Sequence, residues 1–259
     1  MNTEGVSVGV YGLGRFGSFW ASQLSNHVTV KGYSRNPDHL PAGVIRVDED
    51  ELLASPVLIL CVAISAMKDV LTRISARIAP GSLVMDTCSI KVYPVELMRE
   101  ILPDSVSLLA THPMFGPDSA NGGLSGLPLV MCPVRAAEKT VQFWNDFFRH
   151  LGLHVHVMTP EDHDREAAFT QGVTHFIGRV LAAVDLRESK ISTLGYRKLL
   201  EIIEQTCNDS WQLFLDLQRY NPYTRQMRST LNRSLSRLHA ELDATLDTPE
   251  IGDYDTAHR

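Results

Sequence analysis

Long apolar runs are missing from this 259-residue chain, and so is an excess of basic side chains. No apolar run approaches the roughly 20 residues that a helix needs to cross a bilayer, so we expect no membrane partner. A formal net charge of −6 gives no general attraction to a phosphate backbone, so we expect no nucleic acid partner either. The N-terminus lacks a basic segment followed by an apolar one, which predicts a cytoplasmic protein. The partner that we expect is a small-molecule substrate.

Cysteine pairs at metal-ligand spacing are also missing. The cysteines are scattered, which predicts reduced thiols at Cys61, Cys88, Cys132 and Cys207. A second candidate metal set combines His154 and His156, which alternate along one predicted strand, with the nearby Asp162 and His163. Alternation of polar residues on a strand explains the first two without a metal, so we predict no metal site.

The first part of the chain alternates short β-branched runs with amphipathic stretches, which is the pattern of parallel strands joined by helices. Strands are predicted at residues 6–11, 28–33, 57–62, 83–86, 107–111, 129–132 and 154–158. From Pro160 onward, apolar residues recur at helical spacing instead. The prediction is an α/β protein with a Rossmann-type doubly wound domain at 1–158, an all-helical domain at 159–247 and a flexible tail at 248–259.

The predicted helical domain has amphipathic helices and no sheet of its own. Its apolar faces need a cover, which the first domain and a second copy of the chain can supply. We therefore expect a homodimer formed through the helical domain.

A glycine motif, GLGRFG, joins the first predicted strand to a helical stretch. In that context Gly12 permits a tight turn, Gly14 lets a pyrophosphate approach the backbone, and Gly17 lets the helix pack closely on the sheet. The alternative is a glycine turn without a ligand. The predicted cofactor residues are this loop and the end of the third strand: Gly12, Leu13, Gly14, Arg15, Phe16, Gly17, Cys61, Val62 and Ser65.

The end of the second predicted strand indicates the type of cofactor. NAD enzymes carry an acidic residue there that binds the ribose hydroxyls, whereas this strand ends in GYSRN. Arg35 suits a ribose 2′-phosphate, and Ser34 offers a hydroxyl beside it, so the sequence predicts NADP. The alternative is that Arg35 is a solvated loop cation.

Two polar segments, DTCSIK and THPMFGP, lie just past the carboxyl ends of predicted strands, where open α/β sheets bind ligands. His112 is suited to accept a proton near neutral pH, and Ser89 can orient that proton. The alternatives are a structural role for His112 and a helix cap for Ser89. Lys91 either binds a substrate carboxylate or is solvated.

Seven segments in a fixed order carry a family resemblance: GLGRFG, SRN, DTCSIK, THPMFGP, QGVTHFIGRVL, STLGYRKLLEIIEQT and NDSWQLFLDLQRYN. Together they cover almost the whole chain, which resembles the prephenate/arogenate dehydrogenase family and in particular its plant-like arogenate dehydrogenase branch. The resemblance implies an NADP-dependent oxidoreductase of tyrosine biosynthesis. It would decarboxylate arogenate to tyrosine, or prephenate to 4-hydroxyphenylpyruvate, with arogenate favoured. By resemblance, His112 and Ser89 are catalytic, and His112 bonds the ring hydroxyl close to the nicotinamide.

The resemblance also points to substrate contacts in the helical domain. Gln171 and His175 share a helix face that Arg179 continues, although they could instead be polar interior residues. Asp209 matches an acidic position of arogenate-using members and would attract an ammonium group, or else it caps the next helix.

One departure leaves the ring carboxylate without an assigned partner. Many microbial members carry a carboxylate-binding Arg where this chain has Gln205. The open candidates are Lys91, Arg179 and Arg225. The full predicted substrate set is Lys91, Thr111, Gln171, His175, Arg179, Asp209 and Arg225.

Two other function classes fit parts of the pattern. Another NADP dehydrogenase with a Rossmann and a helical domain, of the hydroxy acid dehydrogenase or imine reductase type, would not require THPMFGP. A non-catalytic NADP-binding module would not need Ser89 and His112.

Overall fold

The computed structural model describes residues 5–35 and 40–245, so the predicted tail at 248–259 lies outside the described residues. The described part contains an eight-stranded sheet followed by a helical region. The strands are β1 Ser7–Tyr11, β2 Thr29–Tyr33, β3 Val44–Arg46, β4 Val57–Leu60, β5 Leu83–Asp86, β6 Ser107–Pro113, β7 Pro128–Arg135 and β8 His154–Val157. The α-helices are α1 Arg15–Ser25, α2 Glu49–Leu53, α3 Met67–Ile74, α4 Val92–Ile101, α5 Glu138–His150, α6 Pro160–Ala167, α7 Val173–Ala183, α8 Leu194–Cys207, α9 Trp211–Tyr220 and α10 Thr224–Thr245.

The sheet places a crevice at the carboxyl ends of β1 and β4. The strand order is β3-β2-β1-β4-β5-β6-β7-β8, and β1 pairs in parallel with both β2 and β4. The chain therefore changes direction across the sheet at β1, which is the point where doubly wound sheets bind their ligands. The predicted Rossmann-type architecture with a following helical region is confirmed.

Apolar layers cover both faces of the sheet. Along β4, Leu58 and Leu60 pack into one core cluster, and Ile59 between them packs into the other. Successive strand residues point to opposite faces, so a strand that is apolar at every position is buried on both sides. The unbroken apolar run of β4 thus indicates a central strand.

Two features of the sheet differ from the prediction. The three-residue edge strand β3 was not predicted, and β7 runs antiparallel to β6 instead of parallel. Residues 114–127 contain none of the described α-helices, so no crossover helix carries the chain over the sheet, and it returns beside β6. This pairing extends β6 to Pro113, with His112 opposite Val130. His112 therefore lies inside a strand and not just past its end.

The helical region begins directly after β8. Thr159 caps α6, because its Oγ1 accepts from Asp162 N at 3.1 Å, and Pro160 occupies the first turn. Between α6 and α7 the chain makes a π-helical turn, Ala168–Gly172. The domain boundary at 158/159 stays a prediction. No helix in the described part is long and apolar enough to cross a membrane.

Candidate functional site

The glycine loop after β1 is packed tightly on one side and open on the other. Gly12 has φ +100°, and a Cβ there would lie 2.4 Å from the Cys61 carbonyl oxygen. A Cβ on Gly17 would lie 1.9 Å from the Gly12 oxygen, whereas one on Gly14 would meet nothing within 4 Å. A side chain is thus excluded where the loop meets sheet and helix, and space is left where a phosphate group would approach the first turn of α1. The loop fits a dinucleotide.

A cavity of about 430 Å³ lies beside this loop at the end of β2. Its lining residues are Leu13, Gly32, Tyr33, Ser34, Arg46, Val47, Asp48 and Glu51. Asp48 accepts from Glu51 N at 2.8 Å, and Glu51 pairs with Lys31 at 2.9 Å, so both carboxylates are engaged. Arg35 follows Ser34 and is exposed. Arg46 is a lining cation that the sequence analysis missed, because the edge strand carrying it was not predicted.

The remaining predicted cofactor residues differ in their surroundings. Cys61 packs its backbone against Gly12, and Val62 lies beside it. Phe16 contacts the aromatic rings of the next turn of α1. Ser65 is engaged by the helical region, because its N and Oγ both donate to Asp216 Oδ2 of α9, at 3.0 and 2.9 Å. Ser65 therefore ties the sheet to α9 in this structure.

A buried ion pair joins the ends of β5 and β6. Lys91 and Asp86 are both fully buried, and Lys91 Nζ donates to the Asp86 carboxylate. Lys91 Nζ also donates to the Thr111 carbonyl oxygen at 2.5 Å, and Thr111 Oγ1 donates to the Asp86 carbonyl oxygen at 2.6 Å. The predicted substrate contacts of Lys91 and Thr111 therefore need correction, because their polar groups are buried and already engaged. Lys91 and Thr111 therefore stabilise the strand ends next to the site.

His112 is almost completely buried, with 2% of its surface exposed. Its Nδ1 lies 2.8 Å from His163 Nε2, and His163 Nδ1 lies 2.8 Å from Asp164 Oδ1. Within the part of the chain that the structure describes, no hydrogen bond engages His112 Nε2. Burial holds the pKa of His112 well below its usual 6.5. His112 is thus a neutral imidazole near pH 7, with one ring nitrogen unengaged.

Ser89 is half-buried in the turn between β5 and α4. Helix α4 begins at Val92, so Ser89 lies too early to cap it, and that alternative is wrong. The cap comes instead from the helical region, where Asp164 accepts from Lys91 N at 2.6 Å and from Val92 N at 2.9 Å. Asp86 and Asp164 were not predicted as site residues from the sequence, and His163 was considered only as a metal ligand. The available signal was an adjacent His and Asp in the first helix of the helical region.

The helical region contributes polar atoms without partners. Four buried side-chain polar atoms in the described residues lack a hydrogen bond, and three of them are Gln171 Oε1, His175 Nδ1 and Arg179 Nε. Such groups are rare in proteins unless a ligand or water completes them, so this cluster is a candidate binding surface. Gln171 lies in the π-helical turn, a feature often found at functional sites. Gln218 supports that turn by donating to the Gly172 carbonyl oxygen at 2.9 Å.

Asp209 connects this cluster to the glycine loop. Its carboxylate lies 3.9 Å from His175 Nε2 and 3.7 Å from Arg15 Nη1. Arg15 also pairs with Asp118, in the segment between β6 and β7, at 2.5 Å. The structure therefore brings the glycine loop, the segment after β6 and the face of α7 together. Asp209 is not the cap of α9, because Ser210 Oγ accepts from Leu213 N at 3.1 Å.

Arg179, the third member of this cluster, is held in place by its neighbours. Its Nη2 donates to the Asp209 carbonyl oxygen at 2.7 Å, and its guanidinium carbon lies 5.3 Å from the Trp211 ring centroid. These contacts hold the side chain in place and leave the buried Nε–H unused. Arg179 is therefore a candidate partner for an anionic group.

Other predicted or considered residues are not part of this cluster. Arg225 and Gln205 are exposed, and Arg225 makes no hydrogen bond or ion pair with any residue that the structure describes. His154 and His156 are exposed on β8, whereas His163 is hydrogen-bonded to His112. Asp162 pairs with Arg165.

Two family models match the chain. The model described as "Prephenate dehydrogenase, nucleotide-binding domain" matches residues 22–166, which is more than half of the chain. A second model, "TYRAAT1-like, C-terminal domain", matches residues 180–251.

Individual proteins give a consistent picture. The chain is 32% identical over 253 residues to arogenate dehydrogenase 2, chloroplastic, of Arabidopsis thaliana, covering 93% of this chain and 71% of the plant protein. It is 31% identical over 250 residues to arogenate dehydrogenase 1, chloroplastic, of the same plant, covering 92% of this chain and only 39% of that longer protein. The crystal structure of a prephenate dehydrogenase from A. aeolicus superposes with a TM-score of 0.73 at 16% identity, covering 92% of this chain and 91% of that one. At that identity the superposition supports the fold alone.

Proposed function

Because this chain belongs to the prephenate and arogenate dehydrogenase family, we propose that it catalyses the NADP-dependent oxidative decarboxylation of arogenate to tyrosine, with prephenate as the weaker substrate. The family resemblance read from the motifs is confirmed by the matches. Membership sets aside the alternative of a hydroxy acid dehydrogenase or imine reductase. The observation that carries the proposal is His112, a buried neutral imidazole with an unengaged nitrogen. It lies near the carboxyl end of β6, on the same side of the sheet as the glycine loop.

The chemistry needs one base and tight orientation. The substrate ring carries a hydroxyl and a carboxylate; the hydroxyl proton passes to His112 Nε2, the carboxylate leaves as carbon dioxide, and the ring becomes aromatic. The nicotinamide, when bound, supplies the acceptor for the hydride that leaves the hydroxyl-bearing carbon. Aromatisation supplies much of the driving force, so the protein has mainly to align the reactants and take the proton.

The anionic groups of the substrate need cationic partners. Among the three basic residues predicted from sequence, Arg179 is the one with an unused buried N–H, and it continues the face formed by Gln171 and His175. Lys91 is buried in its ion pair, and Arg225 is exposed away from the cluster. We therefore assign a substrate carboxylate to Arg179, with Gln171 and His175 beside it.

Replacing His112 by Asn tests the base. The variant loses the proton acceptor while the glycine loop is unchanged, so turnover should fall by about a hundredfold or more with NADP binding retained. NADPH formation and nucleotide titration measure the two effects. Because the pKa of His112 lies below 6.5, wild-type kcat/KM should not change as the pH is lowered from 7.5 to about 6.5. It should fall only at a lower pH, where the imidazole becomes protonated.

A matched control is His154→Asn, which changes an exposed histidine on β8 and should leave activity unchanged. Full activity of His112→Asn would contradict the assignment. Absence of NADPH formation by the wild type with both arogenate and prephenate would contradict the proposed function itself.

The preference for NADP rests on Arg35 and Ser34 at the end of β2. No carboxylate follows β2 directly, and the adjoining cavity also carries Arg46. An arginine at this end of β2 would favour a 2′-phosphate, which forms strong paired hydrogen bonds with a guanidinium group.

Replacing Arg35 by Asp should therefore erase the preference for NADP over NAD, because the 2′-phosphate would then meet a like charge. The measurement is the ratio of Kd values for the two nucleotides. Arg99→Asp makes the same charge change on the exposed side of α4 and controls for net charge. Equal affinity of the wild type for both nucleotides would refute the proposed cofactor.

The preference for arogenate rests on Asp209. Arogenate carries an ammonium group where prephenate carries a keto group, and a carboxylate in a partly desolvated cleft attracts the former. Asp209 lies beside His175, in the cluster of polar atoms without partners. The plant proteins similar to this chain are named arogenate dehydrogenases.

Asp209→Asn removes the negative charge and keeps the shape of the side chain. We expect the ratio of kcat/KM for arogenate over prephenate to fall by about tenfold or more. Asp118→Asn is the matched control, since it releases the same Arg15 from the other carboxylate. An equal fall in both variants would trace the effect to Arg15, and a wild type that prefers prephenate would rule out the role of Asp209.

The partner proposed for the helical region is a second copy of the chain. Exposed apolar side chains gather there, and those of α10 form one stripe at helical spacing: Leu235, Leu238 and Leu242. A patch of this kind marks an interface, so Leu235→Glu combined with Leu238→Glu should convert a dimer to a monomer. Light scattering on both proteins decides it, and a monomeric wild type would exclude the homodimer.

A further inference from the structure

Three buried residues form a continuous hydrogen-bonded chain that ends at His112. His112 Nδ1 meets His163 Nε2, and His163 Nδ1 meets Asp164 Oδ1, each at 2.8 Å. His112 and His163 are each 2% exposed, and Asp164 is fully buried. Water therefore cannot exchange freely with either bond, and the bonds have to be satisfied within the protein.

The direction of this chain follows from Asp164. Its carboxylate already accepts from Lys91 N and Val92 N, at 2.6 and 2.9 Å. An ionised carboxylate can only accept, so the proton between it and His163 belongs to His163 Nδ1. With its ring proton on Nδ1, His163 offers Nε2 as an acceptor, and His112 has to donate its Nδ1–H. The proton of a neutral His112 is thereby placed on Nδ1, and Nε2 keeps its lone pair.

We propose that His163 and Asp164 are positioning residues that hold His112 as the Nδ1–H tautomer, so that Nε2 is the nitrogen that takes the substrate proton. The inference rests on the proposed function only for the origin of that proton, since the tautomer exists without a substrate. In the opposite tautomer Nε2 would carry a hydrogen and could not act as a base.

The same chain stabilises the product of proton transfer. When the substrate O–H bond breaks and an N–H bond forms at Nε2, His112 becomes a cation that still donates its Nδ1–H to His163. The negative charge of Asp164 lies one hydrogen bond further along. The other ionisable groups around His112 are the Lys91 ammonium, which opposes this cation, and Asp86, which pairs with Lys91. Asp164 therefore offsets part of the cost of charging a buried imidazole.

Nitrogen-15 NMR of the full chain labelled at histidine reads the tautomer directly, without substrate or cofactor. The His112 signals, assigned by their loss in His112→Asn, should show a protonated Nδ1 and an unprotonated Nε2. In His163→Leu the acceptor for Nδ1–H is gone, so the Nε2–H tautomer should appear and kcat should fall about tenfold or more. In His163→Gln a side-chain oxygen can replace the lost acceptor, and both the tautomer and most of kcat should return.

His156→Leu is the control, because it removes an exposed histidine of β8 that is outside this chain of bonds. A wild-type spectrum with a protonated Nε2 on neutral His112 would overturn the proposal even if His163→Leu did not fold. An unchanged tautomer and kcat in a folded His163→Leu would overturn it as well. A tautomer that shifts as expected in a protein with no dehydrogenase activity would support this inference and reject the proposed function.

Discussion

The fully buried pair of Lys91 and Asp86 is the constraint on which the candidate site depends. Two charges without solvent are tolerated only because each has a close partner and further hydrogen bonds, here to Thr111 and to the backbone of the turn. Removing one partner of such a pair typically costs about 3–5 kcal/mol. Ser89 lies between the two charged residues, and His112 follows Thr111, so the pair fixes the relative position of both predicted catalytic side chains.

The site is assembled from two kinds of structure with different tasks. The sheet edge supplies the glycine loop and His112, which are held by backbone geometry and strand pairing. The helical region supplies the face of Gln171 and His175, whose buried polar atoms are not satisfied by the protein. Contacts such as Ser65 with Asp216 join the two. The candidate binding surface thus lies on the helical side, and the proposed base lies on the sheet side.

The features predicted well from sequence are those with local causes. A few residues of sequence are enough to predict the apolar strand β4 and the turn at Gly12. The features predicted wrongly depend on contacts that form only when separate elements pack together. The direction of β7 is set by its pairing with β6, and the burial of Lys91 requires Asp86 as a counter-charge. The adjacent His163 and Asp164 mark a polar pair in the sequence, but the contact of His163 with His112 spans 51 residues and appears only in the fold.

The N-terminus of α4 is capped by Asp164 of the helical region. The contacts between the sheet and the helical region therefore differ in strength from one end of their interface to the other. On the Asp164 side, separation would strip two backbone N–H groups of their acceptor and break a buried chain of bonds. On the Arg15 side, the interface is closed by an exposed pair with Asp209, and such pairs contribute only about 0–1 kcal/mol. The contact between the two parts is therefore weaker at the glycine loop than at the start of α4.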